Sequence, residues 1–160
     1  MPHLLPVQVQ SVSVAIDARQ VHEIVTPQPT VLLPGARAEV PGVMSYRGRA
    51  VGLFDFAALA EGLVPLGKGT PRARVLVVQV GANTLAAPVD QVREVREVPP
   101  ESLQPPRLTA QKFSGAEVEI DGIVMPVFDF AAFLASLAGD ALAEHGLVGR
   151  AETDAGTGAW

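Results

Sequence analysis

Three groups of residues have the types that chemistry uses. Gly62-Leu63-Val64-Pro65-Leu66-Gly67-Lys68 has the glycine and lysine spacing of a phosphate-binding loop, in which backbone amides cradle phosphates. The match fails where the mechanism needs it. Residue 69 is Gly, where a hydroxyl would hold magnesium; Pro65 stiffens the loop; and Pro71-Arg72 does not open a helix. Asp55 and Asp129 stand at matching places in two similar stretches, and paired carboxylates can run hydrolysis if they lie roughly 5–10 Å apart in one cleft. Each, however, follows a strand pattern and precedes a helical one, the position of an N-cap worth about 1 kcal/mol. His3, His22 and His145 sit in unrelated contexts with no metal-ligand spacing, and no Ser or Thr stands in a nucleophile-elbow frame. With no cysteine, disulfides and thiolate chemistry are excluded. The residues specify no catalytic group, no cofactor and no metal.

Composition bounds the remaining classes. The chain has 160 residues, 48% apolar but only 5% aromatic, so Val, Ala and Leu must fill the core. Fifteen Gly and fourteen Pro suit many short strands joined by turns. A net charge of −5 gives no basic field for a phosphate backbone, which argues against nucleic acid as a partner. The opening MPHLLPVQVQ has no basic region before an apolar run, and no stretch reaches the roughly 20 apolar residues of a spanning helix. A soluble cytoplasmic protein is expected, touching membranes only through a partner.

The elements follow from period and punctuation. Leu5–Gln10 and Val12–Ile16 alternate at period two and form a hairpin around Gln10-Ser11. Asp17 caps a helical turn that runs into a strand by Ile24. Pro27, Pro29 and Pro34-Gly35 break the chain, and residues 36–40 read as a brief helical turn. Gly42–Leu59 is strand, turn at Arg47-Gly48-Arg49, strand, then a helix start at Phe54-Asp55-Phe56. Gly62–Arg74 has the composition of a mobile loop. Val75–Val80 reads as a strand buried on both faces, and Leu85–Val89 as its return. Pro99–Pro106 is a proline-stiffened loop; Asp121-Gly122 is a strong hairpin turn between strands at Gly115–Ile120 and Ile123–Val127. Phe130, Phe133, Leu134 and Leu137 share one face of a helix over Asp129–Leu142.

Two of these stretches repeat. DGIVMPVFDFAAFL copies the second half of GVMSYRGRAVGLFDFAAL, with the turn glycines and phenylalanines both 74 apart (122 − 48, 128 − 54). Arg19-Gln20-Val21-His22-Glu23-Ile24 is mirrored by Asp90-Gln91-Val92-Arg93-Glu94-Val95 at a shift of 71 (92 − 21), which predicts a second helical turn there. The chain therefore reads as one domain over 1–142 made of two related subdomains, about 12–72 and 83–142, with strands near 5–10 and 75–80 tying them together. Residues 143–160 read as a polar flexible tail.

These motifs, in this order and spacing, resemble the CheW-like family of bacterial chemosensory adaptors. The first half carries Val21-x-Glu23-Ile24, Pro34-Gly35, Pro41-Gly42-Val43, Ser45-Tyr46-Arg47-Gly48 and Phe54-Asp55-Phe56 leading to Leu59. The second adds Val89-Asp90-x-Val92-x-Glu94-Val95, Asp121-Gly122 and Phe128-Asp129-Phe130. The resemblance covers about Leu4 to Leu137. It implies a mainly β fold of two small five-stranded β-barrels, SH3-like in scale, with short helices and a C-terminal helix. It also implies a non-enzymatic adaptor that couples methyl-accepting-type chemoreceptors, at their cytoplasmic tips, to the regulatory domain of a histidine kinase. By motif match, the implied protein-interaction residues are Val21, Glu23, Val43, Arg47, Gly48 and Arg49. Arg47 offers a planar fork for a carboxylate or carbonyls across an interface. Gly48 is expected to serve the turn's conformation and Val21 and Val43 to serve packing as well as contact.

The sequence departs from the family pattern at several places. Ser45-Tyr46 stands where an Asn-Leu pair is usual, Gly52 replaces a proline that survives as Pro126 in the second half, Phe56 stands where leucine is common, and the first hairpin lacks its glycine. These point to a divergent member, as in chemosensory systems controlling pili, surface sensing or cyclic-dinucleotide output. The alternative is a small ligand-binding β-barrel outside chemosensory signalling, which would need Gln8, Gln10 and Gln79 to line a common pocket.

Overall fold

The computed structural model describes residues 1–106 and 114–145. In chain order the elements are β1 (His3–Val9), β2 (Val12–Asp17), a 3-10 turn (Ala18–Gln20), β3 (Val21–Val25), β4 (Thr30–Leu32), β5 (Gly42–Tyr46), β6 (Arg49–Leu53) and a 3-10 turn (Phe56–Leu59). There follow β7 (Arg74–Val80), β8 (Asn83–Val89), β9 (Gln91–Val92), β10 (Arg96–Glu97), a 3-10 turn (Pro100–Ser102), β11 (Ser114–Ile120), β12 (Ile123–Phe128) and α1 (Phe130–His145). Asp17, Asp55 and Asp129 cap as expected: their carboxylates accept from the backbone amides of Arg19, Ala57 and Ala131, each at 2.9 Å.

The strands form two sheets. One runs β3-β7-β8-β6-β5-β4, and the other β10-β1-β2-β12-β11 with β9 also on β1. The sheets and the repeat divide the chain at different places. The leading hairpin β1–β2 lies with β9–β12, and the second hairpin β7–β8 lies with β3–β6. Each repeat thus lends its hairpin to the other's sheet.

The registers obey the repeat. Leu5 faces Ile16 and Leu76 faces Ala87, a shift of 71 on both strands (76 − 5, 87 − 16). Ala15 pairs in parallel with Val127, and Ala86 with Leu53, shifts of 71 and 74 (86 − 15, 127 − 53). Val21 meets Val78 on β3–β7, and Val92 meets Val7 on β9–β1, again 71 apart (92 − 21, 78 − 7).

Packing has the same symmetry. One sheet folds over Leu4, Ala15, Val118, Ile120 and Met125; the other folds over Met44, Val51, Leu53, Val75 and Ala86. A larger core lies between them, built from both hairpins and the repeated Phe-Asp-Phe motifs. There Phe54 meets Phe128 and Phe130, each at 5.3 Å between ring centroids, and Phe133 at 4.9 Å. Edge-on and tilted contacts of this kind add about 0.5–1.5 kcal/mol per pair beyond area burial.

Each sheet curls on itself, but its strand path stays open at the edges among the described residues. β3 and β5 lie near opposite ends of one path, yet Tyr46 and Glu23 touch, so side chains bridge the gap that backbone pairing leaves.

Four local expectations are corrected. Residues 36–40 form turns rather than helix, with Val40 N–H on the Arg37 carbonyl at 3.2 Å. Residues 90–95 hold β9 and extended chain, not a helical turn. The position 71 after the cap Asp17 is Pro88, which has no capping side chain, and the Asp90 carboxylate is engaged by the amide of Gln10 at 2.6 Å. β4 lies inside the stretch that Pro27, Pro29 and Pro34 marked as loop. It is an exposed edge with no buried face to give alternation. Its close approach requires Gly42, since a Cβ there would fall 2.0 Å from the Val31 carbonyl oxygen. α1 runs to His145 rather than Leu142; the rest of the expected tail, 146–160, lies outside the described residues. In the second half the strand equivalent to β4 shrinks to a bridge, with Gln104 and Glu117 exchanging backbone bonds of 2.9 and 2.8 Å. Pro105-Pro106 follows and has no amide to extend the pairing.

Candidate protein-interaction surface

β5 and β6 join through a two-residue turn, Arg47 (φ 50°) and Gly48 (φ 76°), with Tyr46 facing Arg49 in register. Left-handed φ at both positions matches the right-handed twist of a hairpin. A Cβ on Gly48 would meet nothing within 4 Å, so this glycine serves the turn's conformation and leaves space above it.

The turn brings two side chains, Tyr46 and Arg47, onto Glu23 of β3. Arg47 Nη2 donates to Glu23 Oε1 at 2.8 Å, and the Tyr46 hydroxyl donates to the same oxygen at 2.5 Å. The Arg47 guanidinium carbon lies 5.4 Å from the Tyr46 ring centroid, within cation–π range. The Tyr46 hydroxyl, and then Arg47, hold the Glu23 carboxyl below the usual carboxylate range. In return Glu23 raises the Tyr46 phenol and the Arg47 guanidinium. Arg47 remains 67% exposed, so the arginine is oriented without being covered.

The sequence-predicted residues divide accordingly. Glu23, Arg47 and Gly48 form this cluster, and Arg49 flanks it as an exposed residue of β6. Val21 is half-buried against the inter-sheet core. Val43 is half-buried on β5 between Val31 and Gly52, on the strand face opposite the buried Met44. Tyr46 belongs to the Ser45-Tyr46-Arg47-Gly48 motif but is not among the interaction residues the resemblance implies. It is the chain's one tyrosine and falls two residues after the core residue Met44, a position at the rim of that inner face. Exposed aliphatics were missed as well: Ile24 beside Glu23, and Val31, Leu32 and Leu33 on and after β4.

The other chemical candidates resolve into structure. Asp55 is buried against Arg72 while Asp129 is an exposed cap, so the two serve separate structural ends. The phosphate-loop lookalike leads through Arg72 and Ala73 into β7, not into a helix. Gln10 clamps the backbone of Val64, Gln8 bonds the Gln10 carbonyl and Gln79 is exposed; neither of two shallow depressions, one lined by Asp17 and Asp129 and one by Glu117 and Val124, includes any of the three. Among the described residues no group of His, Asp and Glu could hold a metal ion, and no helix is long and apolar enough to cross a membrane.

The family model for the CheW-like domain matches residues 3–138. No curated protein matches the chain. Among solved structures, that of the scaffolding protein TtCheW from Thermoanaerobacter tengcongensis is similar, with 21% identity and a TM-score of 0.68 over 81% of this chain and 85% of that one. At that identity the likeness speaks to the fold.

Proposed function

The chain belongs to the CheW-like domain family, and on that premise we propose that it is a non-enzymatic adaptor coupling chemoreceptors to a histidine kinase in a chemosensory signalling array. It acts in the cytoplasm, binding the kinase's regulatory domain and the cytoplasmic tip of a methyl-accepting-type receptor, and reaches the membrane only through that receptor. The observation that carries this reading is the cluster at the β5–β6 turn. An arginine fixed by Glu23 and Tyr46, yet mostly exposed, is a recognition group with little rotamer freedom left to lose on binding. Arg49 follows the turn on β6, and Ile24, next to Glu23 along β3, exposes an apolar side chain on the other face of that strand. Val21 and Val43 support the strands from which this surface is built.

Titration calorimetry of the intact chain with the regulatory domain of its cognate kinase, and separately with a receptor-tip fragment, tests the proposal. Binding to both is expected, weakened at least tenfold by Arg47→Glu in a protein whose circular dichroism is unchanged. Absence of binding to either partner removes the coupling role; full affinity of the folded Arg47→Glu variant for both removes this surface.

A further inference from the structure

Gly62–Arg74 has the composition of a mobile loop, yet its Arg72 is one of the most buried charges of the described residues. The side chains of Arg72 and Asp55 are 4% and 3% exposed, with Arg72 Nη2 3.5 Å from Asp55 Oδ1. The same Nη2 donates to the Val64 carbonyl at 3.1 Å, and Asp55 Oδ2 accepts from the Leu66 amide at 2.9 Å. Val64 is then gripped from the other sheet: Gln10, at the β1–β2 turn, donates Nε2 to its carbonyl at 2.9 Å and accepts its amide at 3.0 Å. Asp90, leaving β8, closes the circuit by accepting the Gln10 amide at 2.6 Å and standing 3.9 Å from Arg72 Nε. That Nε is buried without a hydrogen-bond partner.

We propose that Leu63–Arg72 is an inter-sheet strap that selects one relative setting of the two sheets, with Arg72 as its key. Apart from the Asp90 amide donating to the Gln8 carbonyl of β1 at 2.9 Å, the described contact between the sheets is mainly the apolar core around Phe54 and Phe128, and apolar burial is strong but non-directional. A buried ion pair contributes little net stability, because desolvation offsets its attraction; what it adds is geometry, since its partners are satisfied in one arrangement only. The strap's bonds run from Gln10 in one sheet to Asp55 and Asp90 at the strand ends of the other, so one setting of the sheets satisfies them together. The device is one-sided. Among the described residues the Asp129 carboxylate, 74 residues after Asp55 (129 − 55), makes only cap bonds, to Ala131 and Ala132, and α1 follows it where a 3-10 turn and then the strap follow Asp55.

The absence of native cysteine allows a direct test. Cysteines at Gln79 on β7 and Glu119 on β11, both exposed, take spin labels, one per sheet. Arg72→Met with Asp55→Asn breaks the key while removing both charges. Gln10→Ala cuts the clamp at a half-buried site and keeps the test decisive if the double variant does not fold. Expected for Gln10→Ala are amide exchange at Val64 and Leu66 at least tenfold faster, unchanged exchange at Leu76 and Ile16, and an inter-label distance distribution at least twice as wide. Faster strap exchange with a distribution as narrow as in the unaltered chain overturns the proposal, as does strap exchange that Gln10→Ala leaves unchanged.

Discussion

The two hairpin turns occupy the same place in the repeat and solve the same problem with opposite charges. Arg47 and Asp121 are 74 residues apart (121 − 47), each left-handed at φ 50° and 52° and each followed by a glycine. In the first half the turn supplies the cation, and Arg47 reaches Glu23 on β3. In the second the turn supplies the anion, and Asp121 accepts from Arg96 on β10 at 2.8 Å. Both tie the tip of one hairpin to a strand across the sheet. They differ in the residue before the turn. Tyr46 adds a hydroxyl and a ring to the first latch, whereas its counterpart Ile120 is buried and leaves the second a bare ion pair. The geometry shared by the halves belongs to the fold, and the chemistry they do not share is where recognition can differ.

The largest effects should fall where the halves are alike. Phe54→Ala and Phe128→Ala each remove a ring buried to 1% exposure or less from the same cluster, and each should cost about 3–5 kcal/mol. Denaturant midpoints with an unchanged slope would measure both. Losses differing by more than about 2 kcal/mol would break the symmetry, making one half the main holder of the core. The next test sits one residue further on, where the halves diverge. Asp55→Ala strands Arg72 in a buried site and should cost about 3–5 kcal/mol, while Asp129→Ala loses only an exposed cap, about 1 kcal/mol. Equal losses would mean that Arg72 is not left uncompensated when Asp55 is removed.

Much of this was legible in the chain. Period-two runs point to the hairpin at Leu5–Ile16, the Asp121-Gly122 turn points to the hairpin over Gly115–Val127, Asp17, Asp55 and Asp129 read as N-caps, and the Phe-Asp-Phe copies mark the repeat. What escaped was long-range. Nothing in Val12–Ile16 says that it will pair with Val127-Phe128 rather than within its own repeat, because partner choice in a sheet depends on the whole topology. β4 escaped because an exposed edge strand between prolines has no alternation. Arg72 escaped because a lone arginine in a Gly/Pro-rich segment has the composition of a solvated loop, and only its distant partners bury it. At the surface, Glu23 and Arg47 were each singled out from motif matches, but their mutual contact was not. It depends on how far the sheet curls, which local sequence does not state, and Tyr46 was lost for the same reason.

The charge reversal between the latches can be used directly. Arg47→Glu should weaken partner binding at least tenfold, whereas Asp121→Arg, at the equivalent turn, should change it less than twofold, both measured by calorimetry on folded protein. The double variant Glu23→Arg/Arg47→Glu rebuilds the first latch with the polarity of the second. If affinity stays low, the arginine itself is the contact; if it returns, only the turn's position matters, and the proposed difference between the halves is gone.

The smallest effect is a titration. Glu23 and Asp121 are both held below the usual carboxylate range, Glu23 by Tyr46 and then Arg47, Asp121 by Arg96. A carboxyl depressed in the folded state adds stability above its unfolded pKa, and that contribution is lost as pH falls through the folded value. Both latches should therefore hold at neutral pH and fade on acidification through and below the ordinary carboxylate range. Only the first depends on a phenol. In Tyr46→Phe, the Glu23 carboxyl resonance, followed by NMR, should titrate at higher pH than in the unaltered chain, while that of Asp121 stays in place. A Glu23 titration unmoved by this change would leave Arg47 as the effective partner and reduce the first latch to a charge-reversed copy of the second.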